Sequence, residues 1–293
     1  MPGTTRVRHG HRLPARRPIA VELALMARLA VIGNISIDHR VYIDGRRGAA
    51  LGGAALHIAL AATRAGLAAR PVSLIGTDLA GLNAHPQLAR LDLTGVATTT
   101  GASASFTLTY DADGNVTRTD ADYGAATGLT SHALRHLANQ HDDAYHVCCR
   151  HPLEVARVLH ALPSRRFSLD FTLPSAPMNI AAATPYLPQA GAVFVNSAEY
   201  EVLAGLFPVA SLAVIVVSDG PRPTRLLRRG RLVTTTTPPT TAAVELAGAG
   251  DTLTGTFLAS RAAGLDEASA LREAVAAASS HTTGPALTLP GAD

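Results

Sequence analysis

No lysine occurs anywhere in the 293 residues; all 25 basic side chains are arginine. That absence removes any phosphate loop of the Gly-Lys-Ser/Thr type, and with it Schiff-base and pyridoxal chemistry. Phosphate, if handled, must be held by backbone amides and arginine. Tryptophan is also missing, aromatics are 4%, and the net charge is only +3. With no basic stripe interleaved with aromatics, nucleic acid is not an expected partner. Cysteine is limited to the adjacent Cys148 and Cys149. Sequence neighbours make a poor structural bridge, and no zinc-type spacing exists, so a reducing, cytoplasmic setting is expected. No apolar run reaches the roughly 18 residues that a membrane span needs.

What remains is an ordinary globular composition, 47% hydrophobic and 16% charged. The length suits one large domain, or one with a small appendage. Residues 1–25 stand apart: arginine-rich near the start, without amphipathic period or signal-peptide core. They are expected to be an extension, a disordered arm or the product of an upstream start, with the domain running over 26–293. From Arg28 strand and helix signals alternate: "RLAVIGN", "GGAALHIALAATRAGL", "RPVSLIG", then "AYHVCC", "RFSLDF", "AVFVN" and "LAVIVVS". Two helical stretches, "GDTLTGTFLASRAAG" and "DEASALREAVAAASSHTT", close the chain. This order predicts an α/β fold, a mostly parallel sheet with helices on both faces and ligands at the strands' carboxyl ends. Residues 39–51 and 103–123 alternate in strand fashion around Asp44-Gly45 and Asp113-Gly114-Asn115. They are too polar for central strands and predict a small sheet projecting as a lid.

The segment "ELAGAGDTLTGTFLAS" (245–260) puts Asp251 behind Gly248-Ala249-Gly250 at the mouth of an apolar helix. Two readings are open. The aspartate caps the helix, or the glycines leave first-turn N–H groups bare as an anion site with Asp251 beside it as a base. Three further motifs precede it in order: "GNISID" with Asp38, "GGAALHIA" with Gly52 and Gly53, and "NSAE" with Asn196 and Glu199. Each is weak alone. Their order and spacing, from about Met26 to Pro290, resemble the ribokinase-like (PfkB) carbohydrate and nucleoside kinases.

That resemblance implies a ribokinase-like three-layer α/β/α domain with a small β-sheet lid. It implies that Gly248, Ala249 and Gly250 form the anion hole for a transferring phosphoryl group, with Asp251 as general base. Fixed dipoles suit such a loose transition state. It implies that Asn196 and Glu199 organise Mg²⁺, largely through water; a helix cap followed by a first-turn glutamate accounts for the same pair. Asp38 would grip substrate hydroxyls, with Gly52 and Gly53 allowing close backbone approach. In "VVSDG", Ser218 and Gly220 would line the nucleotide, and His281 in "AAASSHTTGPA" is a candidate adenine contact or a solvated helix-end histidine. Asp78 in "IGTDLAG" reads as a loop-and-cap residue.

Departures fall at the acceptor. His57 stands where the family often carries an asparagine, Ala54 where it often carries lysine, and Arg150 near a sugar-binding glutamate. Both His57 and Arg150 are therefore candidate substrate contacts for an acceptor with negative charge or a nucleobase; packing under the lid and a surface ion pair are the bland alternatives. Glu245, Leu246 and Ala247 replace the Asp and threonines that in many relatives help hold a monovalent cation, which puts K⁺ activation in doubt. The expected function is an ATP- and Mg²⁺-dependent kinase acting on a hydroxymethyl group of a sugar or sugar-like molecule. The alternative is a nucleoside kinase acting on a ribose 5′-hydroxyl, with Tyr42, Phe106, Tyr110 and Tyr123 as stacking groups. A non-catalytic, ligand-binding regulatory member is the third reading. The lid's apolar face needs cover, which in this family often comes from a second subunit; a homodimer is expected.

Overall fold

A computed structural model describes residues 28–111, 116–163, 166–173, 175–240 and 246–290. The extension at 1–25, the turn at 113–115 and Glu245 lie outside the described residues.

The chain alternates as its periodicity predicts. It runs β1 (Arg28–Ile32), β2 (Ser36–Tyr42), β3 (Arg47–Gly52), α1 (Ala54–Arg64), β4 (Ala68–Ile75), β5 (Val96–Thr98), β6 (Ala104–Tyr110) and β7 (Val116–Asp122). Then follow α2 (Leu129–Asn139), β8 (Ala144–Cys149), α3 (Val155–Ala161), β9 (Phe167–Phe171), α4 (Ala176–Ala183), β10 (Ala192–Asn196) and α5 (Ser197–Leu206). The last part is β11 (Val214–Asp219), β12 (Arg222–Arg228), β13 (Arg231–Thr236), α6 (Ala249–Ala262) and α7 (Glu267–Thr283).

Nine strands form the main sheet in the order β13-β12-β11-β10-β9-β8-β1-β4-β5. From β5 to β11 all neighbours are parallel, and β12 and β13 close one edge antiparallel. Parallel strands covered on both faces must be apolar on both, and β8 and β9 are buried at every position. The two-residue period of β1 shows the division. Leu29 and Val31 join one core with residues of α1, α6 and α7, while Ala30 and Ile32 join the other with residues of α2 to α5. In α6, Gly255 permits a close crossing over α1: a Cβ there would lie 2.2 Å from the Ile58 carbonyl oxygen. This contact sets the first turn of α6 above the carboxyl ends of the central strands.

The second sheet has the order β3-β2-β6-β7. The segments expected to form a lid are two antiparallel hairpins, joined where β2 runs parallel to β6. The first hairpin begins earlier than its polar alternation suggested, at Ser36, and ends at Gly52. Register pairs Asp38 with Phe106, Arg40 with Leu108 and Tyr42 with Tyr110, so these six side chains share one face.

Candidate active site

Six elements meet around a cavity of about 260 Å³ at the carboxyl ends of the parallel strands. Arg150 follows β8, Asp170 lies on β9, Asn196 ends β10, Ser218 is on β11, Glu199 is in α5, and Gly250 and Asp251 are in α6; all line it. This is the crevice where open parallel sheets bind ligands.

The helix start answers the question of the aspartate. Gly248 is the N-cap, at φ 82° and ψ −1°, and no side chain caps the turn. The capping reading of Asp251 is therefore corrected. Left-handed backbone costs glycine little, so the helix is already entered at Gly248, three residues before Asp251. Asp251 falls in the first turn with its carboxylate turned to Arg150. Of the expected anion-hole donors, the Ala249 N–H makes a long bond to the Leu246 carbonyl, 3.3 Å.

Arg150 is not a surface ion pair. Its Nη2 donates to Asp170 Oδ2 at 2.5 Å and to Asp251 Oδ1 at 3.1 Å. Burial acts to raise the Asp170 carboxyl, but the Arg150 guanidinium, then His146, outweigh it and hold the group below the usual carboxylate range. His146 is fully buried, its Nδ1 2.8 Å from Ser168 Oγ. Its Nε2 stands 3.7 Å from Asp170 Oδ1, ion-pair range but too long for a hydrogen bond. With Cys148 these groups place three ligand-type atoms within 4.8 Å of one another. Because Arg150 already pairs with the carboxylate, the cluster is a charge network rather than a cation site. Sequence reading missed Asp170; a lone acid in the otherwise apolar "FSLDF" was the available signal.

Asn196 and Glu199 form the helix cap that their spacing allows. Asn196 Oδ1 accepts the Glu199 N–H at 2.9 Å, and Glu199 Oε2 accepts the Asn196 N–H at 2.8 Å, a reciprocal capping box on α5. Glu199 Oε1 takes a second N–H for the carboxylate, from Leu173, at 3.3 Å. Burial raises the Glu199 carboxyl, against the pull of these backbone donors. With both oxygens engaged, the carboxylate fits a hydrated Mg²⁺ better than direct ligation. Ser218 lines the same cavity; Gly220, at φ 57°, serves the turn from β11 to β12.

Of the residues expected at the acceptor, Asp38, Gly52 and Gly53 meet where the small sheet joins the main domain, while Arg150 lines the strand-end cavity. Asp38 Oδ1 accepts from Ser36 Oγ at 2.8 Å. Gly52 makes room for that carboxylate, since a Cβ there would lie 2.1 Å from Asp38 Oδ2. Gly53, at φ 100°, presses on the Asn34 carbonyl and starts α1. Beside Asp38, Phe106 packs edge-on to Tyr123 at 6.0 Å, and Tyr123 packs on His151 at 4.5 Å. Tyr42 stacks on Tyr110 at 5.1 Å.

Two histidines pack behind the glycine turn, and both also line a small cavity with Asp38 and Leu108. His57 is 8% exposed, and its ring fills the space behind Gly248. Burial pushes it down to about 4, despite the nearby Asp251 charge, so it is neutral at pH 7. His281, expected at the nucleotide, lies with its Nε2 2.7 Å from the Ala247 carbonyl oxygen, behind the glycine turn and outside the lining of the 260 Å³ cavity. Asp78, read as a loop-and-cap residue, lies in the first turn of a short 3-10 helix (Thr77–Ala84) and does not cap it; its Oδ1 accepts from Ser103 N at 2.9 Å and from Ser103 Oγ at 2.6 Å.

Comparison with known proteins agrees with this geometry. A cytidine kinase of Thermococcus kodakarensis is 31% identical over 148 residues, 50% of this chain and 52% of that protein; the chain thus spans about half the length of the curated relative it matches. A nucleoside kinase of Methanocaldococcus jannaschii, an archaeal member of the ribokinase family, superposes with a TM-score of 0.75 at 14% identity, over 91% of this chain and 95% of that one. The inosine complex of a Burkholderia thailandensis nucleoside kinase gives 0.68 at 20% identity, over 90% and 94%. An E. coli structure in complex with ATP and Mg²⁺ gives 0.69 at 19% identity, over 89% and 94%. These likenesses establish the ribokinase-like fold. Residues 26–290 match the pfkB family carbohydrate kinases, and the chain belongs to that family.

Proposed function

We propose that this protein transfers the γ-phosphoryl group of ATP to a hydroxymethyl group of a sugar or nucleoside, with Asp251 as general base. The observation that carries this is the uncapped, left-handed Gly248 start of α6, with Asp251 in its first turn facing the strand-end cavity. Asp251 takes the proton of the acceptor hydroxyl, the freed oxygen bonds to the γ-phosphorus, and the bond to the ADP oxygen breaks. First-turn N–H groups and Arg150 offset the charge on the transferring group. Arg150 Nη2 bridges Asp170 and Asp251, so pairing of this guanidinium with a phosphate would free the base. Mg²⁺, organised through water by Asn196 and Glu199, would neutralise the ATP phosphates.

The nucleoside acceptor gains support from the lid. Period-two register sets Phe106 beside Asp38, so an aromatic face adjoins the proposed hydroxyl-binding carboxylate. Bases stack on such faces. The opposite face of the small sheet carries His39, Val41, Ala49 and Thr107 around a depression of about 410 Å³. That partly apolar surface supports the reading of a homodimer through the lid. Buried, free Cys148 and Cys149 suit a cytoplasmic protein, and no helix among the described residues is long and apolar enough to cross a membrane.

ADP release in a coupled assay, run over a panel of sugars and nucleosides, tests the function. Acceptor-dependent ADP formation with a 5′-phosphorylated nucleoside product is expected. A panel with no acceptor-dependent turnover overturns it.

A further inference from the structure

A turn that aims successive N–H groups at an anion aims its carbonyls backwards. Those oxygens need donors behind them if they leave water. The glycine turn before α6 meets this need through a side chain from a distant helix. His281, in the last turns of α7, brings Nε2 to 2.7 Å from the Ala247 carbonyl oxygen. A carbonyl only accepts, so the proton of that bond is on Nε2. His57, from α1, packs edge-on against His281 at 5.8 Å between ring centroids. A Cβ at Gly248 would meet His57 Nδ1 at 2.8 Å, so the ring occupies the room that any side chain at 248 would need. Leu246, one residue before that carbonyl, is 59% exposed.

We propose that His281 is a positioning residue for the phosphate site. Its N–H holds the Ala247 carbonyl, and through it keeps the Gly248 to Asp251 turn presenting N–H groups to the γ-phosphate. His57 backs the same turn by shape, not charge. The inference rests on the proposed reading that this turn receives the phosphoryl group.

Calorimetric titration of the full chain with ATP and with AMP, both with Mg²⁺, tests it without relying on turnover. His281→Ala is expected to weaken ATP binding about tenfold, the worth of one well-placed hydrogen bond. AMP, which lacks the γ-phosphate, should bind within about twofold of the wild type. Added imidazole should restore ATP affinity saturably in His281→Ala and leave the wild type unchanged. His281→Gln, which keeps an N–H donor and a similar size, should fall between the two. ATP affinity unaltered in His281→Ala overturns the proposal. An equal loss for ATP and AMP without rescue marks a merely structural histidine and overturns it too. Failure of the proposed transfer shows separately, as a wild type that binds ATP and phosphorylates no acceptor.

Discussion

At the ends of β8, β9 and β10 the charged groups are enclosed: the Asp170, Asp251 and Arg150 side chains are 7%, 14% and 27% exposed. On the small sheet, Asp38, Arg40, Tyr42, Phe106 and Leu108 are all only half-buried. The enclosed region is held by ion pairs, a capping box and a glycine turn, each dictated by backbone geometry. The open one depends on which side chains a strand presents at alternate positions. On the proposed kinase reading, chemistry common to many acceptors would belong in the first region and discrimination between acceptors in the second. The contrast becomes testable by perturbing each side in turn.

The largest effect is expected at the enclosed end. Asp251→Asn should lower kcat by a factor on the order of 10² to 10⁴ with ATP affinity kept, the usual range for a lost general base. Arg150 still has Asp170 as a partner in that variant, so the fold should hold. Near wild-type turnover would return the base role to another group and erase the contrast at its root.

Arg150→Met removes the cation that Asp170 faces and leaves a buried carboxylate unpaired. Breaking such a pair costs about 3 kcal/mol or more, to be read by urea unfolding. The double change Arg150→Met with Asp170→Asn should recover much of the loss. If the single variant is as stable as the wild type, the enclosed region is wetter than its geometry implies.

A pH effect of similar size attaches to His57. Its ordinary value is 6.5 and the folded value is about 4. As pH falls through that window only the unfolded chain binds the proton, so the fold weakens. The loss amounts to about 3 kcal/mol by linkage. His57→Gln should show a flatter stability profile between those limits. Parallel profiles would mean that the ring is solvated and does not back the turn.

How much of this was legible in the sequence follows the same contrast. The parallel sheet, the glycine turn, Asn196 with Glu199, and Asp38 with its glycines could be read because each local signal has a backbone cause. Asp170 escaped because a strand fully buried on both faces shows only its apolar run; the one acid in "FSLDF" finds its partner 20 residues away. His281 was expected at the nucleotide, since a helix-end position says nothing about which side of a loop the ring will meet. Phe106 was visible as an aromatic of the lid. Its place beside Asp38 needed the parallel pairing of β2 with β6, which joins segments of different hairpins.

At the open end, Phe106→Ala is expected to raise KM for nucleosides about tenfold, the low end of base stacking. KM for plain sugars should move by less than about twofold, because no base contacts the ring. An equal rise for both classes would make Phe106 a packing residue of the lid and weaken the nucleoside reading.

The smallest effect is expected where the two regions join. Leu246 and Ala247 offer no hydroxyl to a monovalent cation, and the Ala247 carbonyl already accepts from His281. A cation seeking that oxygen must displace a hydrogen bond worth on the order of 1 kcal/mol and gains few ligands in return. KCl titrated against choline chloride at constant ionic strength should therefore change turnover by no more than about twofold, within the worth of that bond. The control matters because screening alone alters binding of a charged nucleotide. Strong saturable activation would mean that backbone carbonyls, with Glu245, build a cation site that pulls the loop off His281. The imidazole would then compete with the cation, and His281→Ala would bind K⁺ more tightly than the wild type.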